Sequence, residues 1–528
     1  MNINRNIFFR TVCFLIIIIS LFACKKVAED EIKRPNILFC ISDDQSFPHA
    51  GVYGCQWIKT PVFDRIASEG LLFHKAYTPD AKCAPSRSAI LTGRNPWQLE
   101  EAVNHVPYFP SNYRTFPEIL KEEGYHVGYT GKGWGPGNPG MYEGKKRELV
   151  GRAYNQNIKE PPTSGISNID YVANFREFLK SNKKGDPFCF WFGAKEPHRP
   201  YEFKSGIKNG KSLNEITSVH SFWPDNDIVK NDILDYAYEV EYFDQQIGEM
   251  LKILEEQGEL SNTIVIVTSD NGMPFPRVKG QEYEFSNHLP LAIMWPDGIH
   301  KKGLNVNDFV SLTDLAPTIL REARVSSDIL SEMEMEGRFL SSYFRAQPND
   351  NIRSHVLVGK ERHDVGRPED SGYPIRGIIT DSMVYLKNFY SNRWPAGNPE
   401  TGYMNCDGSP TKTSILQQNR IQESRDWQLC FGKRPDEELY NYKTDWDCMV
   451  NLANLPEYTK TKEVLFEQMS KELKEQKDLR ILGKGEVYES YPYADNATLN
   501  FYGRYFSGEN VQAKWINETD IETIKSKE

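Results

Sequence analysis

Cys83 is followed at fixed places by Pro85, Ser86 and Arg87, and then by Leu91-Thr92-Gly93-Arg94. Pro85 suits a first helical turn, Ser88 to Leu91 can continue a helix, and Gly93 is a natural stop, so the cysteine falls near a helix N-terminus. Unpaired backbone N–H groups at such an end attract anions. The same place favours a thiolate, so a reactive thiol is one chemistry open to Cys83 and an inert buried cysteine is another. A phosphatase-type loop needs arginine six places after the cysteine, where Ala89 stands. A twelve-residue pattern with this many fixed members is far more specific than a short motif.

Four oxygen donors accompany the cysteine. Ser42-Asp43-Asp44-Gln45 follows a strand-like run from Asn36, and Ser269-Asp270-Asn271-Gly272 follows another, Ile264 to Thr268. Either motif alone reads as a turn or a cap. Together Asp43, Asp44, Asp270 and Asn271 offer the hard oxygens that Ca²⁺ or Mg²⁺ takes, and adjacent carboxylates need something positive between them. Cationic groups come from Arg87, from Lys132 within Thr130-Gly131-Lys132-Gly133-Trp134, and from Lys279 within Arg277-Val278-Lys279-Gly280. His198, in Glu196-Pro197-His198-Arg199, follows an apolar run, and ten histidines in 528 residues leave it few competitors for proton transfer.

The elements that must position these groups alternate between short apolar runs and helical stretches. Strands are expected at 36–42, 126–130, 187–193 and 262–269, and helices at 61–70, 115–124 and 232–257. Such alternation implies an α/β fold, and continuous apolar strands imply a mostly parallel sheet covered on both faces by helices. Ligand sites then collect at the carboxyl ends of strands. Residues 135–165 read as a long site-shaping loop. Beyond about 350 the pattern changes to short β-like runs at 375–380 and 383–387 and a helix near 458–477, a smaller C-terminal α+β subdomain. The expected boundaries are 34–349 for the catalytic domain, 350–480 for the subdomain and 481–528 for a tail without readable period.

The Cys83–Arg94 segment resembles the maturation and active-site signature of the type I sulfatases, of the alkaline-phosphatase superfamily and fold. By motif order the resemblance runs over roughly residues 34–455, ending with Glu438-Leu439-Tyr440-Asn441 and Asn451-Leu452-Ala453. Gly131-Lys132-Gly133-Trp134 and Met273-Pro274-Phe275-Pro276 look closest to bacterial relatives of heparan N-sulfatase, a branch that also serves degraders of algal polymers such as ulvan. The resemblance implies that a formylglycine-generating or sulfatase-maturating enzyme oxidises Cys83 to formylglycine, whose hydrated aldehyde attacks sulfur. It implies a calcium ion, with magnesium the alternative, held by Asp43, Asp44, Cys83, Asp270 and Asn271. Arg87 steadies the diol and the metal ligands, Lys132 and Lys279 bind the sulfuryl oxygens, and His198 protonates the departing oxygen. The implied substrate is a sulfated carbohydrate, algal or glycosaminoglycan.

In one place the chain departs from the family. Many sulfatases read Gly-Lys-x-His where this chain has Trp134. His49, His105, His126, His288 and His363 are the candidates to replace that histidine, and His288, closely following Lys279, is the best placed and is taken as a substrate-binding residue. Trp134 itself offers an apolar platform for a sugar ring. Arg199, Arg362, His363, Arg367, Arg393 and Trp394 are further candidate substrate contacts. A phosphodiesterase or phosphonate hydrolase of the same superfamily is the enzymatic alternative, and a non-catalytic glycan-binding lipoprotein the other.

Composition bounds these readings. Sixty-three Lys+Arg against 73 Asp+Glu give a net charge of −10, which argues against a nucleic-acid binder working through a general basic field. Arg5 and Arg10 precede an apolar run from Val12 to Phe22, too short for a comfortable membrane span, and Leu21-Phe22-Ala23-Cys24 has the form of a bacterial lipobox. Residues 1–23 are thus expected to be a signal peptide, Cys24 the lipidated N-terminus, and 24–33 a tether to the periplasmic side of a membrane or the cell surface. Export permits disulfides, and Cys406 with Cys430 is the candidate pair.

Overall fold

The computed structural model describes residues 33–142, 144–347, 352–421 and 424–522. The signal-peptide and lipidation expectations, Cys24 included, lie outside the described residues. The chain divides at Arg34, and the elements that build the site all belong to the compact unit Pro35–Glu528.

Nine of the described strands form the central sheet: β1 (Asn36–Ser42), β2 (Leu71–Tyr77), β3 (His126–Gly131), β4 (Arg152–Ala153), β5 (Phe188–Gly193), β6 (Thr263–Ser269), β7 (His288–Met294), β8 (Leu304–Val306) and β9 (Val310–Ser311). Their order is β8-β2-β7-β6-β1-β5-β3-β4, with β9 beside β2. β1 runs parallel to both β5 and β6, and β3 parallel to β5, while β7 is antiparallel to its neighbours β6 and β2. The sequence shows no alternation in β1, β5, β6 and β7 because both faces of those strands are buried. Along β1, Ile37, Phe39 and Ile41 enter one hydrophobic cluster and Leu38 and Cys40 the opposite one. Phe39 stacks on Trp191 of β5 at 4.6 Å. Each such side chain contributes about 1.5–3 kcal/mol as an upper estimate.

Helices α1 (Pro61–Glu69), α2 (Cys83–Thr92), α3 (Phe116–Glu122), α4 (Tyr171–Ser181), α5 (Asp227–Glu256) and α6 (Leu315–Glu322) accompany the sheet. α5 begins at 227 rather than the expected 232, because Asn226 caps it by accepting from the N–H groups of Ile228 and Val229. The close fit between β3 and β5 depends on glycine: a Cβ on Gly131, at φ +78°, would meet the Gly193 carbonyl oxygen at 2.0 Å. Lys132 then leaves β3 with its N–H on that carbonyl.

The second sheet is antiparallel, β10 (His355–Lys360), β11 (Ile375–Thr380), β12 (Met383–Asn388) and β13 (Glu437–Asn441) in that order, with α7 (Thr459–Glu475) against it. This is the smaller α+β element expected after 350. The segment beyond 480, without period in the sequence, packs through isolated large residues: Tyr488 and Phe501 are buried in separate clusters. Among the described cysteines none is bridged. Cys406 and Cys430 are separate thiols, Cys430 directed at the Phe222 carbonyl at 3.3 Å, which corrects the expected pairing.

Candidate active site

Four neighbouring parallel strands, in the order β6, β1, β5 and β3, deliver Asp270, Asp43, His198 and Lys132 just beyond their carboxyl ends. Cys83 is the first residue of α2, after Lys82 in extended conformation, and Gly93 ends the helix at φ +70°. The cysteine Sγ occupies the place of the reacting side-chain atom of any modified residue there. It lies 3.4 Å from Asp43 Oδ1 and 4.0 Å from Asp44 Oδ1. Burial, reinforced by the Asp43 charge, pushes the thiol pKa well up, against the pull of the helix N-terminus.

The carboxylates are all buried, and one oxygen from each of Asp43, Asp44 and Asp270 lies within 4.8 Å of the others. Asp270 is fixed by the N–H groups of Asp44 at 3.0 Å and Asn271 at 2.8 Å, and by Arg87 Nε at 2.8 Å. Burial lifts its pKa to about 6. At Asp43 burial acts in the same direction, but Lys132, His198, Arg87 and Lys279 outweigh it and hold the carboxyl well below its usual range. Asp44 takes φ +80°, a costly conformation for a non-glycine residue that turns its side chain into the cluster. Asn271 donates to Asp44 Oδ1 at 2.7 Å and leaves its own Oδ1 buried without a partner. Three carboxylates and an orphaned amide oxygen fit a hard divalent cation such as calcium or magnesium.

Cations surround this set. Lys132 Nζ bonds both Asp43 oxygens, at 2.8 and 2.7 Å. Lys279 Nζ bonds Asp44 at 2.7 Å and Asp407 at 2.8 Å. Arg87, fully buried, also donates to the Lys132 and Gly133 carbonyls, at 3.2 and 2.8 Å, tying α2 to the loop after β3. His198 places Nδ1 2.7 Å from the Arg199 carbonyl, so that nitrogen donates, and Nε2 lies 3.8 Å from Asp44. The side chains of Lys132 and His198 are 19% and 32% exposed against at most 3% for Arg87, Asp43, Asp44 and Lys279, so those two frame the mouth.

The remaining candidates fall elsewhere. His288 is corrected: both ring nitrogens are spent, on Glu284 at 2.8 Å and the His74 carbonyl at 2.9 Å, and its ring is stacked between Phe47 and Tyr77. His49 meets Tyr236, His126 meets Ser181, and His363 meets Asp80. Arg199 pairs with Asp232, Arg362 donates to the Tyr491 carbonyl, Arg367 to the carbonyls of Trp394 and Pro395, and Arg393 pairs with Glu489. Each of these arginines joins separate segments of the chain. Trp394 lies edge-on to Trp427. Trp134, half-buried, donates to Ser88 Oγ at 2.8 Å and packs edge-on against Phe109 at 5.2 Å.

Sequence reasoning missed Asp407, Lys82, Asp364 and the role of His105. Lys82, next to Cys83, pairs with Asp364 at 2.7 Å, and His105 Nδ1 meets the other Asp364 oxygen at 2.8 Å. Only the position of Lys82 beside the cysteine carried any signal.

A sulfatase family profile matches residues 35–325, more than half of the chain. The chain belongs to the sulfatase family. This sulfatase is 25% identical over 502 residues to an ulvan-active sulfatase of Formosa agariphila, covering 86% of this chain and 78% of that one. It is 27% identical over 475 residues to human N-sulphoglucosamine sulphohydrolase, covering 83% and 90%. Among solved structures, that of BT4656 in complex with its substrate D-glucosamine-2-N,6-O-disulfate superposes with a TM-score of 0.57 at 21% identity, over 84% of this chain and 99% of that one. The fold is therefore that of type I sulfatases, and the sulfatase hydrolyses sulfate esters.

Proposed function

We propose that the enzyme removes sulfate from a sulfated polysaccharide or its oligosaccharides, algal such as ulvan or a glycosaminoglycan, using a formylglycine made from Cys83 by a maturating enzyme. The observation that carries this is the convergence of Cys83, Asp43, Asp44, Asp270, Asn271, Lys132, Lys279 and His198 at the ends of four adjacent strands. The ulvan-active and N-sulphoglucosamine relatives support the substrate class.

Asp43, Asp44, Asp270 and Asn271 would hold calcium. The ion and the hydrated aldehyde of residue 83 would supply, respectively, charge neutralisation at the sulfuryl oxygens and an oxygen nucleophile. The chain's own groups do the rest. Arg87 locks Asp270 in place and joins α2 to the Lys132 loop, so the attacking group and a sulfate-binding cation keep one spacing. Lys132 and Lys279 present ammonium groups to the anion. His198, at the mouth, has Nδ1 engaged with a carbonyl and Nε2 turned inward, the disposition of an acid that protonates the departing alcohol oxygen. Trp134 stands at the sequence place where many sulfatases have a histidine and carries no titrating group, so that residue cannot take the proton.

For location, the basic, apolar and lipobox-like sequence before Lys25 supports export and N-terminal lipidation. Metabolic labelling with a fatty acid, lost in Cys24→Ala, tests it. The catalytic reading is tested by sulfate release from defined ulvan and glycosaminoglycan oligosaccharides beside matched phosphate esters. Release of phosphate but not sulfate would refute it.

A further inference from the structure

Behind the α2 N-terminus lies a second cluster that the sulfatase chemistry does not use. One ligating atom each of Asp80, Glu282 and His363 lies within 4.8 Å of the others, and all three residues are fully buried. His363 Nε2 is 2.8 Å from Asp80 Oδ1. Asn287 donates to Glu282 Oε2 at 2.8 Å and to the Thr78 carbonyl at 3.0 Å. Four atoms of this group have no hydrogen-bond partner among the described residues although buried: Asp80 Oδ2, Glu282 Oε1, His363 Nδ1 and Asn287 Oδ1. Buried polar atoms are rarely left so, and each costs about 1–3 kcal/mol unless something fills the gap.

We propose that Asp80, Glu282 and His363 bind a second divalent cation, of the zinc or manganese class, distinct from the ion at Asp43, Asp44 and Asp270. The donor set decides the class: an imidazole nitrogen with two carboxylates suits zinc or manganese, whereas the all-oxygen set suits calcium. A neighbouring cation of the chain, Lys360, donates to the Gly280 carbonyl. The site joins three segments. Asp80 is three residues before Cys83, Glu282 three after Lys279, and His363 three beyond the end of β10 in the second sheet. The bound ion pins the nucleophile's helix and a sulfate-binding loop to the smaller sheet, and so stabilises the fold without entering the reaction.

The test uses the full, purified enzyme, stripped of metal, dialysed against Ca²⁺ together with Zn²⁺ and then desalted. Elemental analysis is expected to find a single zinc per chain besides calcium. Anomalous diffraction at the zinc edge is expected to place it between Asp80, Glu282 and His363. Glu282→Gln and His363→Gln lose the zinc, and its thermal stabilisation, while keeping calcium. Wild-type enzyme that retains no zinc, an anomalous peak only at Asp43–Asp44–Asp270, or zinc undiminished in both variants overturns the proposal. Where a variant does not fold, the wild-type anomalous map decides alone.

Discussion

Lys279 Nζ donates to Asp407 Oδ2 at 2.8 Å across 128 residues of sequence. The same ammonium reaches Asp44 at 2.7 Å, so it is held between a metal-site carboxylate and one supplied by the segment between β12 and β13. Burial opposes the Asp407 charge, but Lys279, His198 and Lys82 outweigh it and keep the carboxyl well below its usual range. Asp407→Asn leaves Lys279 with one anchor. The expected loss in kcat/KM on a sulfated oligosaccharide is roughly 10- to 100-fold, about 1.4–2.7 kcal/mol. Lys279→Ala removes the ammonium shared by two buried carboxylates and should also cost about 3–5 kcal/mol of stability. Steady-state kinetics with thermal melts measure both, and unchanged efficiency in the Asp407→Asn enzyme contradicts the positioning.

Residue 83 decides between an ordinary thiol and a modified side chain. Enzyme from a host with a maturating enzyme should give a Cys83 peptide with the mass of formylglycine or its hydrate. Cys83→Ser should still bind substrate but lose turnover by roughly a thousandfold or more, since a sulfated serine needs a separate hydrolysis. Peptide mass spectrometry and turnover counting check the pair, and wild-type rates in the serine enzyme would defeat the mechanism.

Much of the site was legible because strand ends and glycine turns mark it. Asp43, Asp44, Asp270 and Asn271 follow apolar runs that read as strands, and Lys132 follows another, and the resemblance to the type I sulfatases is what grouped them into one site. His288 failed for the opposite reason. Nearness to Lys279 in sequence says nothing about where its ring points, and His288 opens β7, where Glu284 and the His74 carbonyl consume both nitrogens. Asp407 was illegible because it sits in irregular chain, with no motif, and acquires its role only from the tertiary approach to Lys279.

Trp134 separates packing from chemistry. Its indole bridges Ser88 of α2 and Phe109. Trp134→Ala should cost about 2–3 kcal/mol, below the full-burial range because the ring is half-buried. Trp134→Phe should recover most of that while losing the Ser88 bond. If the ring is also a sugar platform, Ala raises KM for oligosaccharide and leaves KM for a small aryl sulfate unchanged; equal effects on both substrates leave packing as its whole role.

Metal removal should act on structure as well as on rate. In the proposed site Asp43, Asp44, Asp270 and Asn271 would share one ion, and without it three buried carboxylates face each other, partly offset by Lys132, Lys279 and Arg87. Chelation should abolish activity and lower Tm, and calcium at a hundredfold excess over its Kd should restore about 2.7 kcal/mol. Asn271→Ala should weaken the response to calcium, read by melting against calcium concentration; a Tm indifferent to chelator and calcium would rule the ion out at this place.

Acid should destabilise the enzyme in part through His105 and, at lower pH, through Asp364. Burial lowers the His105 pKa to about 4, from 6.5, so at neutral pH it is an uncharged ring donating Nδ1–H to Asp364. A base with a depressed folded pKa binds its proton in the unfolded chain first. Its contribution is therefore complete above pH 6.5 and is lost as pH falls toward 4, on the order of 3 kcal/mol. Burial opposes ionisation of Asp364, but Lys82 and His105 outweigh it and hold the carboxyl far below its usual range, so its contribution is present above the ordinary carboxylate pKa and drains away below it. Tm measured from about pH 7 to 3 should fall in both intervals. His105→Gln should flatten the upper one, and Asp364→Asn, less stable at neutral pH because Lys82 loses its partner, should flatten the lower. A His105→Gln profile as steep as that of the wild type between about pH 6.5 and 4.5 would show that His105 is not held neutral by its burial.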